Sequence, residues 1–239
     1  HLVTPLHALP LATIITLSAS GSERSDSCVI SDRMHHFKGG FNSVTNYPLF
    51  SLEDPSLTFS VPPYQLGCGL SDRFSHSFER YCSPSHELEP CDGLALSIRK
   101  SVVSITNRVL AKADDREAKR ARRICGSLSH DGFTNFGKKK LFIVHKAEHR
   151  LSGKYPDLVH GQGIALLMPS YLEENEAKLE EKIILLGKEV FGVTGSAKDA
   201  IAALKAWLDS LPIVHSFSEL PFEIKKEDIE KAKGLLLLK

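Results

Sequence analysis

Three histidines fall in one stretch, Leu141 to Pro169: His145, His149 and His160. His145 and His149 are four residues apart in a segment that reads as helix, so they share a face. His160 stands just before Gly161, at the start of a further apolar segment. Upstream, Asp72 and His76 repeat the four-residue spacing on another helical segment. Two imidazoles four apart can converge on one ion. One carboxylate with several neutral imidazoles suits Fe(II), Zn(II) and similar borderline cations. We therefore expect the two stretches to meet around one divalent metal. With a coordination position left open, such an ion polarises an alcohol or carbonyl oxygen, and a histidine not bound to it can move the released proton. Spacing alone leaves His145, His149 and His160 interchangeable in these roles.

Two other metal chemistries share these residue types. The zincin motif has the same spacing but needs Glu directly after the first histidine, where this chain has Lys146. His130-Asp131 is an HD dipeptide of the kind used by metal-dependent phosphohydrolases, and it falls at an expected helix end before Gly132. It stands as an alternative.

The elements that must position these residues divide into two kinds. Over the first sixty residues the chain is β-rich, with Gly, Ser and Pro punctuation. Residues 9–17 read as a buried strand, 27–32 as a second and 47–55 as a third, with 35–42 (HHFKGGFN) as a loop. Composition shifts near Val61-Pro62-Pro63, and helical spacing then dominates. Helices are expected at 64–82, 92–112, about 114–130, 141–151, 160–174, 177–191, 197–211 and 226–235. Asp114-Asp115, Ser196 and Glu227-Asp228 lie at their starts. Pro169 should kink or end the fifth. The run Lys119 to Arg123 reads as a solvated helix face rather than a targeting or RNA-binding patch.

Composition sets outer bounds. The 239 residues carry a formal net charge of +1, which gives no reason to expect nucleic acid or an anionic membrane as partner. Apolar runs are short and interrupted, so no transmembrane helix is expected. The first twenty residues lack a basic leader and are not read as a signal peptide. The five cysteines form no CxxC pair and read as reduced, partly buried thiols of a cytoplasmic protein. The terminal GLLLLK either packs on the domain or marks a chain cut short.

Taken in order, the segments LPLATIITLSASGSE, DPSLTFSVP, DRFSHSFERY, SLSHDGFTNFG, HKAEHRLSG and HGQGIALLMP resemble the iron-containing alcohol dehydrogenases, in particular their butanol-dehydrogenase-like branch. The resemblance runs along nearly the whole chain and corresponds to about the last three fifths of a family member. It implies a mainly α fold: an all-helical metal-binding domain over 63–239, preceded over 1–62 by the remainder of an α/β dinucleotide-binding domain. It implies metal ligands Asp72, His76, His145 and His160, for Fe(II) or Zn(II), and His149 as the free proton-relay histidine. It also places Thr16, Ser25, Lys38 and Leu57 near NAD(H) or NADP(H). The implied activity is hydride transfer between that cofactor and a small alcohol or aldehyde, with a possible homodimer.

The chain departs from the family pattern at several points. It has no Gly-rich phosphate loop ahead of the helical part. The turn Thr16 to Ser22 is altered, and the segment before His145 reads Lys140-Leu-Phe142 in place of an Asp-Trp pair. His149 and His160 are eleven positions apart, one more than is commonest in the family. The expectation for these residues alone is metal binding with little turnover. The alternative is a non-catalytic, metal-binding helical remnant.

Overall fold

The structure, a computed structural model, describes Pro5 and residues 7–83 and 89–238. Four short strands come first: β1 (Ala12–Ile14), β2 (Ser27–Asp32), β3 (Phe37–Asn42) and β4 (Phe50–Leu52). β1 and β4 pair in parallel, with Ile14 opposite Leu52. β2 and β3 form an antiparallel hairpin, with Val29 opposite Gly40. The Asp32 carboxylate closes the turn by accepting the backbone N–H groups of Met34 (3.0 Å) and His35 (3.2 Å).

Two expectations for this region are corrected. Residues 37–42 are strand, not loop, because β2 offers a complete row of ladder partners despite Gly39-Gly40. The segment 9–17 is not a buried strand. Only 12–14 is extended in a ladder, and Ile14 is 62% exposed while its partner Leu52 is 53% exposed. The alternation-free apolar run is that of a parallel sheet covered on both faces, yet these two strands carry no such cover among the described residues.

Eight α-helices follow among the described residues: α1 (Pro63–Tyr81), α2 (Glu89–Ala111), α3 (Arg116–His130), α4 (Ile143–Lys154), α5 (His160–Glu174), α6 (Glu176–Leu186), α7 (Ala197–Asp209) and α8 (Lys226–Lys233). Their boundaries follow local chemistry. Pro63 takes the first helical position of α1, where no N–H is needed. The Asp115 side chain caps α3 by accepting the N–H of Ala118. Ser196 and Asp199 form a capping box at α7.

α5 runs through Pro169 and does not end there. An interior proline costs roughly 3 kcal/mol. Leu167, Met168, Tyr171 and Leu172 are buried on either side of it, and that packing holds the helix. The terminal leucines pack on the domain: Leu236 and Leu238 are buried, and Asn175 holds the carbonyl of Leu236 and the N–H of Leu238.

α1 is the centre of the helical domain, packed by α2, α3 and α5. Every residue from Leu66 to Tyr81 is buried. Leu70, Phe74 and Phe78 join Val144, Leu151, Ile164, Leu167 and Trp207 in the main core. Ser71, Asp72, Arg73, Ser75, His76, Ser77, Glu79 and Arg80 are buried with them. A helix so polar and so enclosed must meet its polar groups with partners.

The basic run is likewise corrected. Lys119, Arg122 and Arg123 are buried, because at spacings of three and four they share one face of α3, turned inward. Arg123 donates to the carbonyls of Ile15 (2.6 Å) and Asp54 (2.7 Å), so it ties the ends of β1 and β4 to the helical domain. Among the described residues, no helix is long and apolar enough to cross a membrane.

Candidate metal centre

α1, α4 and α5 meet at a point set by close backbone approach. A Cβ at Gly161 would lie 2.1 Å from the carbonyl oxygen of Cys68, so only glycine fits there. The Ser71 hydroxyl donates to the carbonyl of Gly161 at 2.6 Å and fastens the start of α5 to α1. His160 opens α5 beside that contact, and Asp72 follows Ser71. At Gly163 a Cβ would come 2.7 Å from the Glu148 side chain, so α4 is drawn in as well.

Within this junction Asp72, His76 and His145 are all buried, and each offers a donor atom within 4.8 Å of the others. Asp72 Oδ1 lies 3.6 Å from His145 Nε2 and 3.6 Å from His160 Nε2. Donors bound to one ion at zinc-like bond lengths of about 2.1 Å stand ~3.4 Å apart in a tetrahedron. Asp72 Oδ1 and His145 Nε2 are buried without a hydrogen-bond partner, although they face each other. Leaving a buried polar atom unsatisfied costs about 1–3 kcal/mol, and a cation between them would satisfy both. The donor set therefore fits a divalent ion of the Fe(II) or Zn(II) type.

The other nitrogens of the rings are held. His76 Nδ1 is 2.9 Å from the carbonyl of Asp72. His145 Nδ1 bonds Glu79, and His160 Nδ1 bonds Glu148. A carboxylate on one ring nitrogen fixes the tautomer and points the other nitrogen's lone pair at a metal. Glu79 also accepts the N–H groups of Val144 (2.7 Å) and His145 (3.2 Å), so it caps α4 as well as orienting its histidine. α4 starts from Phe142 at φ 46°, a left-handed conformation rare for a bulky residue. The Phe142 ring packs edge-on against His145, with centroids 5.1 Å apart.

The electrostatics follow from this crowding. Burial works to raise the Asp72 carboxyl, but His76, His145 and His160 hold it far below the usual carboxylate range. Burial opposes charge on His145, yet Glu79 and Asp72 raise it to about 9. Burial pushes His76 well below the usual histidine value.

His149 stands at the edge of this group. Its ring centroid is 5.3 Å from that of His160 and 6.4 Å from that of His145. Burial drives it down to about 3, so it is neutral at physiological pH. Glu148, His149 and His160 form a second possible ligand set, but Glu148 already binds the Nδ1 of His160.

Of the residues expected near a dinucleotide, the structure brings two toward the centre. Lys38 reaches across to α4, 2.8 Å from Ser152 Oγ and 3.5 Å from Glu148 Oε2. Ser25 Oγ is 3.1 Å from His130 Nε2, and the His130 ring lies 4.4 Å from that of His76. Thr16 follows β1 and Leu57 lies in the short 3₁₀ turn Pro55–Thr58, and both are exposed. The HD dipeptide does not face the cluster as a ligand pair. Asp131 is engaged by Arg24 (2.7 Å) and by the N–H of Phe133, and both ring nitrogens of His130 have partners in Ser25 and Ser20.

Glu79 and Glu148 are the site residues that the sequence reading missed. Their signal was spacing: Glu79 is three residues after His76, and Glu148 three after His145, so each shares a helix face with a predicted ligand.

The buried Asp/His/Glu cluster set between helices is a candidate metal site, and comparison with known proteins supplies the family. Residues 68–235 match the model of the Fe-containing alcohol dehydrogenase family, C-terminal. The chain is 34% identical to NADH-dependent butanol dehydrogenase A of Clostridium acetobutylicum, over 97% of this chain and 59% of that protein. It is 27% identical to NADP-dependent alcohol dehydrogenase 3 of Entamoeba histolytica, over 91% of this chain and 56% of that protein. It superposes on the crystal structure of NADH-dependent butanol dehydrogenase A from Thermotoga maritima with a TM-score of 0.89 at 29% identity, over 97% of this chain and 58% of that one. The chain belongs to the Fe-containing alcohol dehydrogenase family. It spans a little under three fifths of the length of these relatives.

Proposed function

We propose that Asp72, His76, His145 and His160 hold one divalent ion, Fe(II) or Zn(II), and that His149 carries the proton of the reaction. The activity in view is that of an alcohol dehydrogenase or aldehyde reductase, exchanging hydride between NAD(P) and a small alcohol or aldehyde. Residues 63–239 are the metal-binding half of that machinery, and residues 1–62 the remainder of the dinucleotide-binding half. The observation that carries the reading is the convergence of Asp72 Oδ1 with the Nε2 atoms of two histidines whose Nδ1 atoms are held by carboxylates.

A bound ion supplies Lewis acidity toward the oxygen of the substrate. The chain's own residues do the rest. Glu79 and Glu148 keep the His145 and His160 rings in one tautomer and one orientation. His149 is neutral and half-buried beside them, so it can accept a proton from a hydroxyl and return it to solvent. Ser25 and Lys38 support the placement of a dinucleotide on the strand side, since Lys38 touches α4, which carries His145, and Ser25 touches His130, whose ring lies beside that of His76. Thr16 and Leu57 complete the proposed cofactor set. The relatives' names specify NADH for some and NADP for others, and either cofactor is open to this chain. The five free thiols suit a cytoplasmic protein, and a homodimer is the proposed assembly.

The exposed apolar faces of β1 and β4 favour a second reading for these residues by themselves: a metal-binding helical unit without turnover. Metal analysis of purified variants tests the shared core of both. The wild type should carry one ion per chain, His160→Ala none, and His149→Ala the full complement. Equal loss in the two variants would overturn the division of roles.

A further inference from the structure

The β2–β3 hairpin belongs to the strand-rich segment, yet it leans directly on α4. At Gly153 a Cβ would lie 3.0 Å from both the carbonyl of His36 and the N–H nitrogen of Lys38, so the hairpin backbone sits on the helix surface itself. From there the Lys38 side chain crosses α4. It donates to Ser152 Oγ at 2.8 Å, and its ammonium is 3.5 Å from Glu148 Oε2. That same oxygen accepts from His160 Nδ1, while Glu148 Oε1 is buried with no hydrogen-bond partner. Glu148 is fully buried, and Lys38 is mostly so. One oxygen atom thus joins a strand residue to a histidine of the metal centre.

We propose that Lys38 is a positioning residue for the metal centre: through Glu148 it sets the ring of His160, so that ion affinity depends on the docked hairpin and ion binding in turn tightens the hairpin. The inference rests on the reading of Asp72, His76, His145 and His160 as an ion site. Three physical points carry it. With Oε1 unpartnered, the polar contacts of Glu148 run through Oε2, which Lys38 and His160 share, with His149 Nε2 further off at 4.0 Å. A buried carboxylate needs a compensating charge to stay ionised, and Lys38 brings one from outside α4 and α5. Finally, if the hairpin's contact raises ion affinity, the ion must stabilise that contact by the same factor. Two regions whose sequences show no common pattern are coupled in this way across about one side-chain length.

The test uses the full chain and Co(II), whose visible absorption reports binding, together with hydrogen exchange of the amides of residues 37–42 with and without the metal. Lys38→Met keeps the aliphatic stem and removes the charge. It should weaken Co(II) binding about 10–100-fold, the range for residues that support metal ligands, with helical content unchanged. Lys38→Arg should recover most of that loss. Glu148→Gln should weaken binding similarly, and the double variant should lose less than the sum of the two, since both act on His160. In the wild type Co(II) should slow exchange across 37–42, and in Lys38→Met it should not. A folded Lys38→Met variant that binds Co(II) like the wild type would overturn the proposal, and so would hairpin exchange indifferent to the metal. If Lys38→Met fails to fold, additive losses for Lys38→Gln and Glu148→Gln would overturn it equally. Failure of the wild type to bind Co(II) would instead remove the ion site itself, and this proposal with it.

Discussion

α1 and the β1–β4 pair invert the usual rule in opposite senses. In α1 the polar side chains are inside: Asp72, His76 and Glu79 are buried at the crossing with α4 and α5. In β1 and β4 the apolar side chains are outside, with Ile14 and Leu52 more than half exposed. The inversions teach different things. The polar groups of α1 converge, carboxylate against imidazole, on one point where two donor atoms have no other partner. That is the pattern of a ligand site. The exposed strand residues converge on nothing. They make a surface of the kind that parallel sheets keep covered, and they say nothing about chemistry. Asp72, His76 and His145 thus meet as a candidate ion site between helices, while the strand side meets the helices at several points, among them Lys38, Ser25 and Arg123.

The sharpest way to break this comparison is at one glycine packed against α1 and one in the strand segment. Gly161→Ala would drive a Cβ to 2.1 Å from a backbone carbonyl of α1, where nothing flexible can yield. We expect a loss of about 3 kcal/mol or more in equilibrium urea unfolding, the upper end for overpacking a tight site, together with loss of Co(II) binding as His160 moves away from Asp72. Gly40→Ala in β3 meets nothing nearer than 3.9 Å. It should fall within about 0.5 kcal/mol of the wild type and leave metal binding unchanged. Comparable losses from the two would show that the α1–α5 crossing does not organise the site.

A smaller effect separates buried polarity that serves a site from buried polarity that does not. Arg122 is fully buried on α3, and none of its guanidinium nitrogens has a hydrogen-bond partner. Burial, with Arg73 and Arg123 nearby, lowers it to about 9. Unlike Asp72, it faces like charges rather than opposite ones. Arg122→Met keeps the side-chain length and removes the unsatisfied donors. It should stabilise the fold by about 1–3 kcal/mol without altering Co(II) affinity, as read by the urea midpoint and the same absorption titration. A destabilised variant would show that the guanidinium has partners that its geometry does not reveal.

Much of this was legible in the sequence, for reasons that particular residues show. The helices announced themselves through apolar period and caps, as at Ser196 and Asp115. Asp72 with His76, and His145 with His149, were legible as pairs because four-residue spacing places side chains on one face, whereas the separation of His145 and His160 from His149 was implied only by the family resemblance. What periodicity could not supply was contact between distant segments. Nothing in the string pairs Glu79 with His145, and nothing ties Lys38 to Glu148 across more than a hundred residues. Pro169 does not end α5, because the packing of Leu167, Met168 and Leu172 outweighs the local rule. Lys119, Arg122 and Arg123 misled because charge was weighed ahead of spacing, although three- and four-residue steps put them on one inward face. The hairpin was hidden by Gly39-Gly40, whose weak strand preference is overridden by the partner row in β2.

The finest test of the comparison is the pH dependence of ion binding. Without an ion, His145 is held protonated between Glu79 and Asp72 up to about pH 9. An ion that takes its Nε2 must displace that proton. His130 and His149, both depressed to about 3 by burial, are already neutral above pH 5. Between pH 7 and 9 the site should thus release one proton per ion, and apparent Co(II) affinity should rise about tenfold per pH unit before levelling above 9. The sign for the metal-free fold is the reverse. A histidine raised above its ordinary value of 6.5 contributes stability that is fully present below 6.5 and is lost as pH rises through about 9. Raising the pH across this window should therefore weaken the metal-free protein at the same time as it strengthens ion binding. Unfolding curves and Co(II) titrations in the same buffers read the two slopes. Parallel slopes, or an affinity independent of pH, would mean that His145 is not the group the ion displaces a proton from.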